Sequence, residues 1–555
     1  MSETNPVNIA AWLPIRAQQQ PDRMAVAFPS GRDRDGSTRY TQLTYRELET
    51  LSNEYARGLM ARGLTPGMRS VLMVQPSLEF FGLTFALFKI GVSMVCVDPG
   101  MGIKNLKKCL AEAQPQAFIG IPKAHVARLI LGWARSSLRI NVIVGPKFNL
   151  PGMTSLSRIR RIGAAQVDLS FPETSAEQMA AILFTSGSTG IPKGVVYTHA
   201  NFVAQVEALK HAYQIEPGEV DLATFPLFAL YAPALGMSAV IPEMDFTQPG
   251  SVDPLKIIEP VQKFGVTNMF GSPALLNRLG RYAETHPTRL SSLKRVISAG
   301  APVPAQVMKR LLKLLPEGVQ VFTPYGATES LPVASIGSDE ILGDTSALTN
   351  QGRGVCVGRP ALNITAKIIK ITDDAIESWE DDLLAPPHEI GEIVVQGPVV
   401  TRAYFNRDAS TKLAKIKDPQ NNSFYHRMGD LGYFDSQGRL WFCGRKTQRV
   451  MTPTGDHYTI PCEGVFNTHE DVFRSALVTV RRQGVSQPAL CVELEKDRNV
   501  NEAQLLKDLE AIAQSHEHTK MIHDFYIHPS FPVDIRHNAK IERETLSQWA
   551  MGRVS

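Results

Sequence analysis

The chain has 555 residues, 43% of them apolar and 20% charged, and a formal net charge of +4 from 58 Lys and Arg against 54 Asp and Glu. That length and balance predict three or four structural units with sizeable cores, and they exclude disordered, collagen-like and small disulfide-stapled classes. No run of five or more like charges points to a nucleic-acid partner, and the six cysteines have no pair at metal-ligand or redox spacing, which predicts reduced, buried thiols in a cytoplasmic protein.

Residues 44–62 carry a helical pattern opened by Thr44 and Glu47 at capping-box spacing, and the apolar run 70–74 reads as a strand. Residues 80–97 are apolar enough to raise a membrane span, with Lys89 as their one charge. A lysine at mid-span is expensive in lipid, and Gly91 splits the run into a helix-like half, 80–90, and a β-rich half, 92–97. The expectation is therefore a helix and then a buried strand, with no integral membrane segment.

Strand, helix, strand order implies a parallel α/β sheet. The alternation returns in mid-chain, where 266–270, 295–298 and 319–323 read as buried strands and 273–282 as a helix. From about Gly354 the texture changes. Residues 363–371 and 391–396 are alternating or β-branched between turns, which suggests an antiparallel sheet or small barrel beside the α/β part. The polar stretch 444–456 marks a boundary, and beyond it the strands 475–480 and 489–494 and the helix 502–515 predict a small C-terminal domain on a hinge.

The strongest chemical signal follows the strand-like run 179–184. It is Thr185-Ser186-Gly187-Ser188-Thr189-Gly190-Ile191-Pro192-Lys193-Gly194. Glycines let backbone N–H groups approach an anion, hydroxyls add donors and Lys193 adds a charge, so this is a phosphate-cradling loop. It is not the P-loop of nucleoside triphosphatases, because Lys193 precedes Gly194 instead of a hydroxyl residue.

This loop resembles the signature of the adenylate-forming superfamily, which includes acyl-CoA synthetases, peptide-synthetase adenylation domains and luciferases. Tyr325-Gly326-Ala327-Thr328-Glu329 is similar to the second core motif of that superfamily. Gly429-Asp430 with Tyr433, Gly438 and Gly444-Arg445 is similar to the third, and Asn538-Ala539-Lys540 to the segment bearing the last lysine.

The resemblance implies an α/β fold: a large N-terminal domain, 1–446, of two α/β subdomains plus a small β-barrel-like part, and a small mobile α+β domain, 447–555, carrying Lys540. It also implies ATP and Mg²⁺, with adenylation as the first step. Thr185 to Gly190 and Lys193 would hold phosphate. Ser298, Ala299, Gly300, Ala301 and Pro302 would line the adenine pocket on which Tyr325 stacks, beside Gly326 and Ala327. Thr328 would contact the α-phosphate, Glu329 the metal, Asp430 the ribose diol, and Arg445 ribose or phosphate, with Tyr433 in the same nucleotide-binding set. Lys540 would bridge the substrate carboxylate and the α-phosphate.

Two departures refine the reading. The hinge reads Gly444-Arg445-Lys446-Thr447-Gln448, so Thr447 and Gln448 replace the charged residues many synthetases carry there, and Ala229 stands where many fatty-acyl members have a histidine. In thioester-forming members the hinge segment helps build a pantetheine channel, so CoA transfer is put in doubt. Segments 225–245, 325–333 and 534–542 are most similar to the β-lactone synthetases of bacterial long-chain olefin biosynthesis. That resemblance implies a 2-alkyl-3-hydroxy fatty acid as substrate and association with the other olefin-pathway enzymes. A long-chain fatty-acyl-CoA or acyl-carrier ligase and a catalytically silent nucleotide-binding scaffold are the alternatives. Phe225, Leu235, Met237, Met269 and Phe270 either line an acyl pocket or pack a core. His199 is either a base for ring closure or a structural histidine.

Overall fold

The computed structural model describes residues 6–145, 152–185, 192–225, 227–495, 498–533 and 540–553. Its first sheet has seven strands, in the order Thr154–Ser155, Ile140–Ile143, Ala117–Gly120, Arg69–Met73, Ser93–Cys96, Met179–Phe184 and Gly194–Thr198. All neighbours are parallel except the last pair. Helices cover both faces, as a parallel sheet requires.

Helix Tyr45–Ala61 begins at a capping box in which Thr44 and Glu47 satisfy each other's backbone N–H groups. The apolar run divides as expected, into helix Leu78–Lys89 and strand Ser93–Cys96. Lys89 is buried and held by Glu49 at 2.6 Å, Asn53 at 2.7 Å and Ser52 at 2.8 Å, the partners a buried ammonium needs. Among the described residues no helix is long and apolar enough to cross a membrane.

The second and largest sheet joins two kinds of pairing. Ser238–Val240, Val220–Ala223, Asn268–Phe270, Arg295–Ile297 and Gln320–Ala327 are parallel neighbours. From Gln320–Ala327 the sheet continues antiparallel through Ser330–Gly337, Val355–Pro360, Leu440–Arg445, Ser423–Phe434, Gly391–Gln396 and Thr365–Ile369. The antiparallel part expected after Gly354 is thus hydrogen-bonded edge to edge with the α/β part.

A separate three-stranded sheet, Val472–Arg482, Val485–Leu494 and Asp524–Ile527, packs with helices Thr459–Phe466 and Glu502–Ser515 around Leu477, Leu490, Leu505 and Leu509. All six cysteines are free thiols.

Candidate active site

In open α/β sheets ligands gather at the carboxyl ends of the strands, and Thr185, the stretch 298–302 and Thr328 with Glu329 follow such ends. Thr185 follows Met179–Phe184, and its N–H donates to the Lys193 carbonyl at 3.0 Å. Ser186, Gly187, Ser188, Thr189 and Gly190 lie outside the described residues. The outgoing strand Gly194–Thr198 reaches across to the second sheet, where the Tyr197 hydroxyl donates to the Thr328 carbonyl at 2.5 Å. It also pairs with the segment around Tyr404, through Val196 N–H to the Ala403 carbonyl at 3.1 Å and Phe405 N–H to the Gly194 carbonyl at 2.7 Å.

Those contacts bring Lys193 and Glu329 to one aromatic ring. The Tyr404 hydroxyl donates to Glu329 Oε1 at 2.7 Å, and Lys193 Nζ stands 5.0 Å over the Tyr404 ring. The Glu329 backbone is fixed too, since Thr401 donates to its carbonyl from N–H at 2.9 Å and from Oγ1 at 3.0 Å. Behind Thr401, Lys415 donates from Nζ to the Thr401 carbonyl. Burial lowers the pKa of that amine to about 7, against the pull of Glu329. Nearby His426 is held well below the usual imidazole range, first by burial and then by Lys415.

A second cluster forms across neighbouring strands. Asp430 and Arg445 are direct register partners, with Nη1 to Oδ1 at 2.9 Å, and the Tyr325 hydroxyl donates to Asp430 Oδ2 at 2.6 Å. Burial pushes the Asp430 carboxyl up while Arg445 and Tyr325 pull it down. Arg445 is in turn raised by Asp430. Tyr325 tilts against Phe442 at 5.9 Å.

The stretch 298–302 leaves strand Arg295–Ile297 with Gly300 at φ +99°. Ser298 is fully buried, and its Oγ has no protein partner among the described residues.

Tyr433 is not brought to this cluster. It lies three residues beyond Asp430 on an alternating strand, so its side chain takes the opposite face, stacking on Trp441 at 6.1 Å and donating to the Arg353 carbonyl at 2.9 Å. Its grouping with Asp430 is corrected on that ground. Lys540 is exposed, one residue before Ile541, which bridges to Val533.

At the expected hinge, Lys446 is buried and bound to Glu392 at 3.1 Å and to the Thr372 carbonyl at 2.8 Å, while Thr447 follows in a single helical turn, Lys446–Gln448. Gly444 has φ +119°, and a Cβ there would meet Thr459 Oγ1 at 2.2 Å.

The proposed acyl-pocket residues divide. Leu235, Met237 and Met269 are core residues. Phe225, Phe228 and Phe270 form a half-buried aromatic group with centroids 4.7 to 6.4 Å apart. Ala229 is buried beside them, and the Tyr231 hydroxyl donates to Gln205, whose Nε2 donates to the Leu331 carbonyl at 2.9 Å. His199 is buried against Phe88, which lowers its pKa to about 4. Tyr404, Thr401, Tyr197 and Lys415 carry no motif of their own and were not readable as site residues.

A family model described as AMP-binding enzyme matches residues 13–405. The chain belongs to the AMP-binding enzyme family. Members are adenylate-forming ligases that use ATP, and this chain is one of them. It is 49% identical over 548 residues to an olefin beta-lactone synthetase of Xanthomonas campestris pv. campestris, covering 98% of this chain and 97% of the relative. It is 49% identical to an olefin beta-lactone synthetase of Stenotrophomonas maltophilia, covering 99% of both chains. The fold matches that of the o-succinylbenzoate coenzyme A synthetase MenE of Bacillus subtilis, solved with ATP and magnesium ion, at a TM-score of 0.71 and 20% identity, over 96% of this chain and 98% of that one.

Proposed function

We propose that this AMP-binding enzyme activates a 2-alkyl-3-hydroxy fatty acid as its acyl adenylate and then closes a β-lactone by attack of the substrate's own 3-hydroxyl. In the first step a carboxylate oxygen attacks the α-phosphorus of ATP and pyrophosphate leaves. In the second the 3-hydroxyl oxygen attacks the acyl carbon, AMP leaves with the bonding pair, and the hydroxyl proton passes to solvent or a base. One observation carries the reading: the 49% identity to the two olefin beta-lactone synthetases runs over 98 to 99% of this chain, the hinge and C-terminal part included.

The geometry supports the roles assigned to the residues. Asp430 presents a buried carboxylate suited to a ribose diol, with Arg445 as its fixed counter-charge and the Tyr325 ring beside it for adenine. Ser298 Oγ offers an unused hydroxyl to the base, in the loop completed by Ala299 to Pro302. Thr185 to Gly190 and Lys193 hold the phosphates, and Thr328 contacts the α-phosphate.

Glu329 suits Mg²⁺, a cation bound by one or two carboxylates together with substrate phosphates, and Tyr404 engages only its Oε1. When bound, the ion neutralises charge on the departing pyrophosphate. Lys540 belongs to a C-terminal domain, 447–555, that turns about Thr447 against the domain 1–446, bringing the ammonium to the carboxylate and α-phosphate. Phe225, Phe228 and Phe270 provide an apolar face for an alkyl chain.

Ring closure needs no pantetheine channel, in keeping with Thr447 and Gln448 at the hinge. The protein works in the cytoplasm, beside the other enzymes of olefin biosynthesis. Release of pyrophosphate and of AMP, followed with a 3-hydroxy acid and with its 3-deoxy analogue, CoA omitted, tests the reading. Continuous turnover with the first and a halt after about one adenylation per site with the second is expected. Equal turnover of both, or a strict need for CoA, overturns it.

A further inference from the structure

Helix Pro122–Leu131 turns two polar residues, His125 and Arg128, inward. His125 and Arg128 are buried, the imidazole Nε2 2.9 Å from the Val142 carbonyl and the guanidinium 5.5 Å over the Phe118 ring. With the inner face so occupied, Val126, Leu129 and Ile130 are 44%, 56% and 77% exposed. Their spacing of three and four places them on one stripe.

The neighbouring helix, Ile103–Ala113, packs through Leu106, Cys109, Leu110 and Ala113 onto the same core cluster that takes Ala124, so both outer faces look out from one side of the sheet. Its outer stripe is Lys104, Lys107 and Lys108, all exposed. Between residues 99 and 145 the chain has seven lysines and arginines and one carboxylate, Glu112. Arg407 holds that carboxylate at 2.6 Å.

An apolar stripe beside a lysine stripe fits a partner that is apolar inside and anionic at its surface. We propose that the outer faces of helices Ile103–Ala113 and Pro122–Leu131 form a docking surface for an anionic lipid bilayer. Val126, Leu129 and Ile130 enter the boundary between headgroups and acyl chains, and Lys104, Lys107 and Lys108 lie among the lipid phosphates. The chain rests on the bilayer and does not cross it. A nucleic acid would engage the lysines but gain nothing from Leu129 and Ile130.

The test is co-sedimentation of the full chain with vesicles of phosphatidylcholine alone and of phosphatidylcholine mixed with phosphatidylglycerol, at low and high salt. Binding only to the mixed vesicles, weakened by salt, is expected. Changing the three lysines together to glutamine should lower partitioning on the order of a hundredfold. Leu129→Gln with Ile130→Gln should lower it by roughly tenfold. Both variants should turn over a short, water-soluble acid at the wild-type rate.

Equal binding to neutral vesicles, no binding, or unchanged partitioning of either variant overturns the proposal. So does self-association lost in the Leu129 and Ile130 variant without vesicle binding, which assigns the surface to a second copy. Retention by nucleic acid without vesicle binding also overturns it.

Discussion

Tyr404 holds Glu329: its hydroxyl reaches Oε1 at 2.7 Å, across 75 positions of sequence. A carboxylate fixed in this way presents its remaining oxygen in a set direction, which is what a metal ligand needs. Tyr404→Phe keeps the ring under Lys193 and removes only the hydroxyl. Hydrogen bonds to charged groups are worth about 1.5 to 3 kcal/mol, so pyrophosphate release should fall roughly ten- to hundredfold, with a higher Mg²⁺ requirement. Unchanged release at limiting Mg²⁺ would take Tyr404 out of this role.

The pair Tyr325 and Asp430 separates ring from hydroxyl. Asp430→Asn removes the charge that faces Arg445, and the KM for ATP should rise about ten- to hundredfold. Tyr325→Phe leaves the stacking face intact, and the KM for ATP should move less than about threefold. Steady-state kinetics with varied ATP decides both. A large effect of Tyr325→Phe would mean that the hydroxyl, not the ring, serves the nucleotide.

Both pairs also show what the sequence could and could not carry. The capping box at Thr44 and Glu47 is local, and strand Gly391–Gln396 and helix Glu502–Ser515 appear with the expected bounds because periodicity and turn residues fix them within a few positions. Tyr404 and Thr401 meet Glu329 only in the folded chain, with Lys415 behind Thr401, and nothing in their neighbours announces it. The strand expected at 319–323 runs on to Ala327 because Ser330–Gly337 folds back on it, a pairing that also welds the antiparallel part to the parallel one. The motif groups Tyr433 with Asp430, but strand alternation turns its side chain to the opposite face, against Trp441.

Asp221 gives a pH dependence of stability. It is buried at the base of the second sheet, accepts from Asn268 Nδ2 at 2.5 Å, and burial pushes its pKa up to about 7. Between about pH 4 and 7 the folded state keeps a proton that the unfolded chain has lost, so this contribution to stability is full below about pH 4 and gone above about pH 7. Asp221→Asn should therefore raise the apparent melting temperature at pH 8, by the equivalent of about 1 to 3 kcal/mol, and leave it nearly unchanged at pH 4. An equal shift at both pH values would contradict the assignment.

Lys540→Ala should lower adenylation on the order of a hundred- to a thousandfold if the proposed charge at the transferring phosphoryl group is lost. Supplied with preformed acyl adenylate, the variant should still release AMP. Loss of both steps would place Lys540 in the second reaction as well. Thr447→Pro fixes one torsion of the turn Lys446–Gln448 and should slow whichever step needs the C-terminal part to move, read by burst and steady-state AMP release.

The most direct test of ring closure is the fate of oxygen. A 2-alkyl-3-hydroxy acid labelled with ¹⁸O in both carboxyl oxygens is incubated with ATP and Mg²⁺ and no CoA, and both products are analysed by mass spectrometry. The account requires one label in AMP and one in the carbonyl of a β-lactone, with the unlabelled 3-hydroxyl oxygen in the ring, formed one for one with AMP. An acyl-CoA product on adding CoA, with no lactone under either condition, would contradict it.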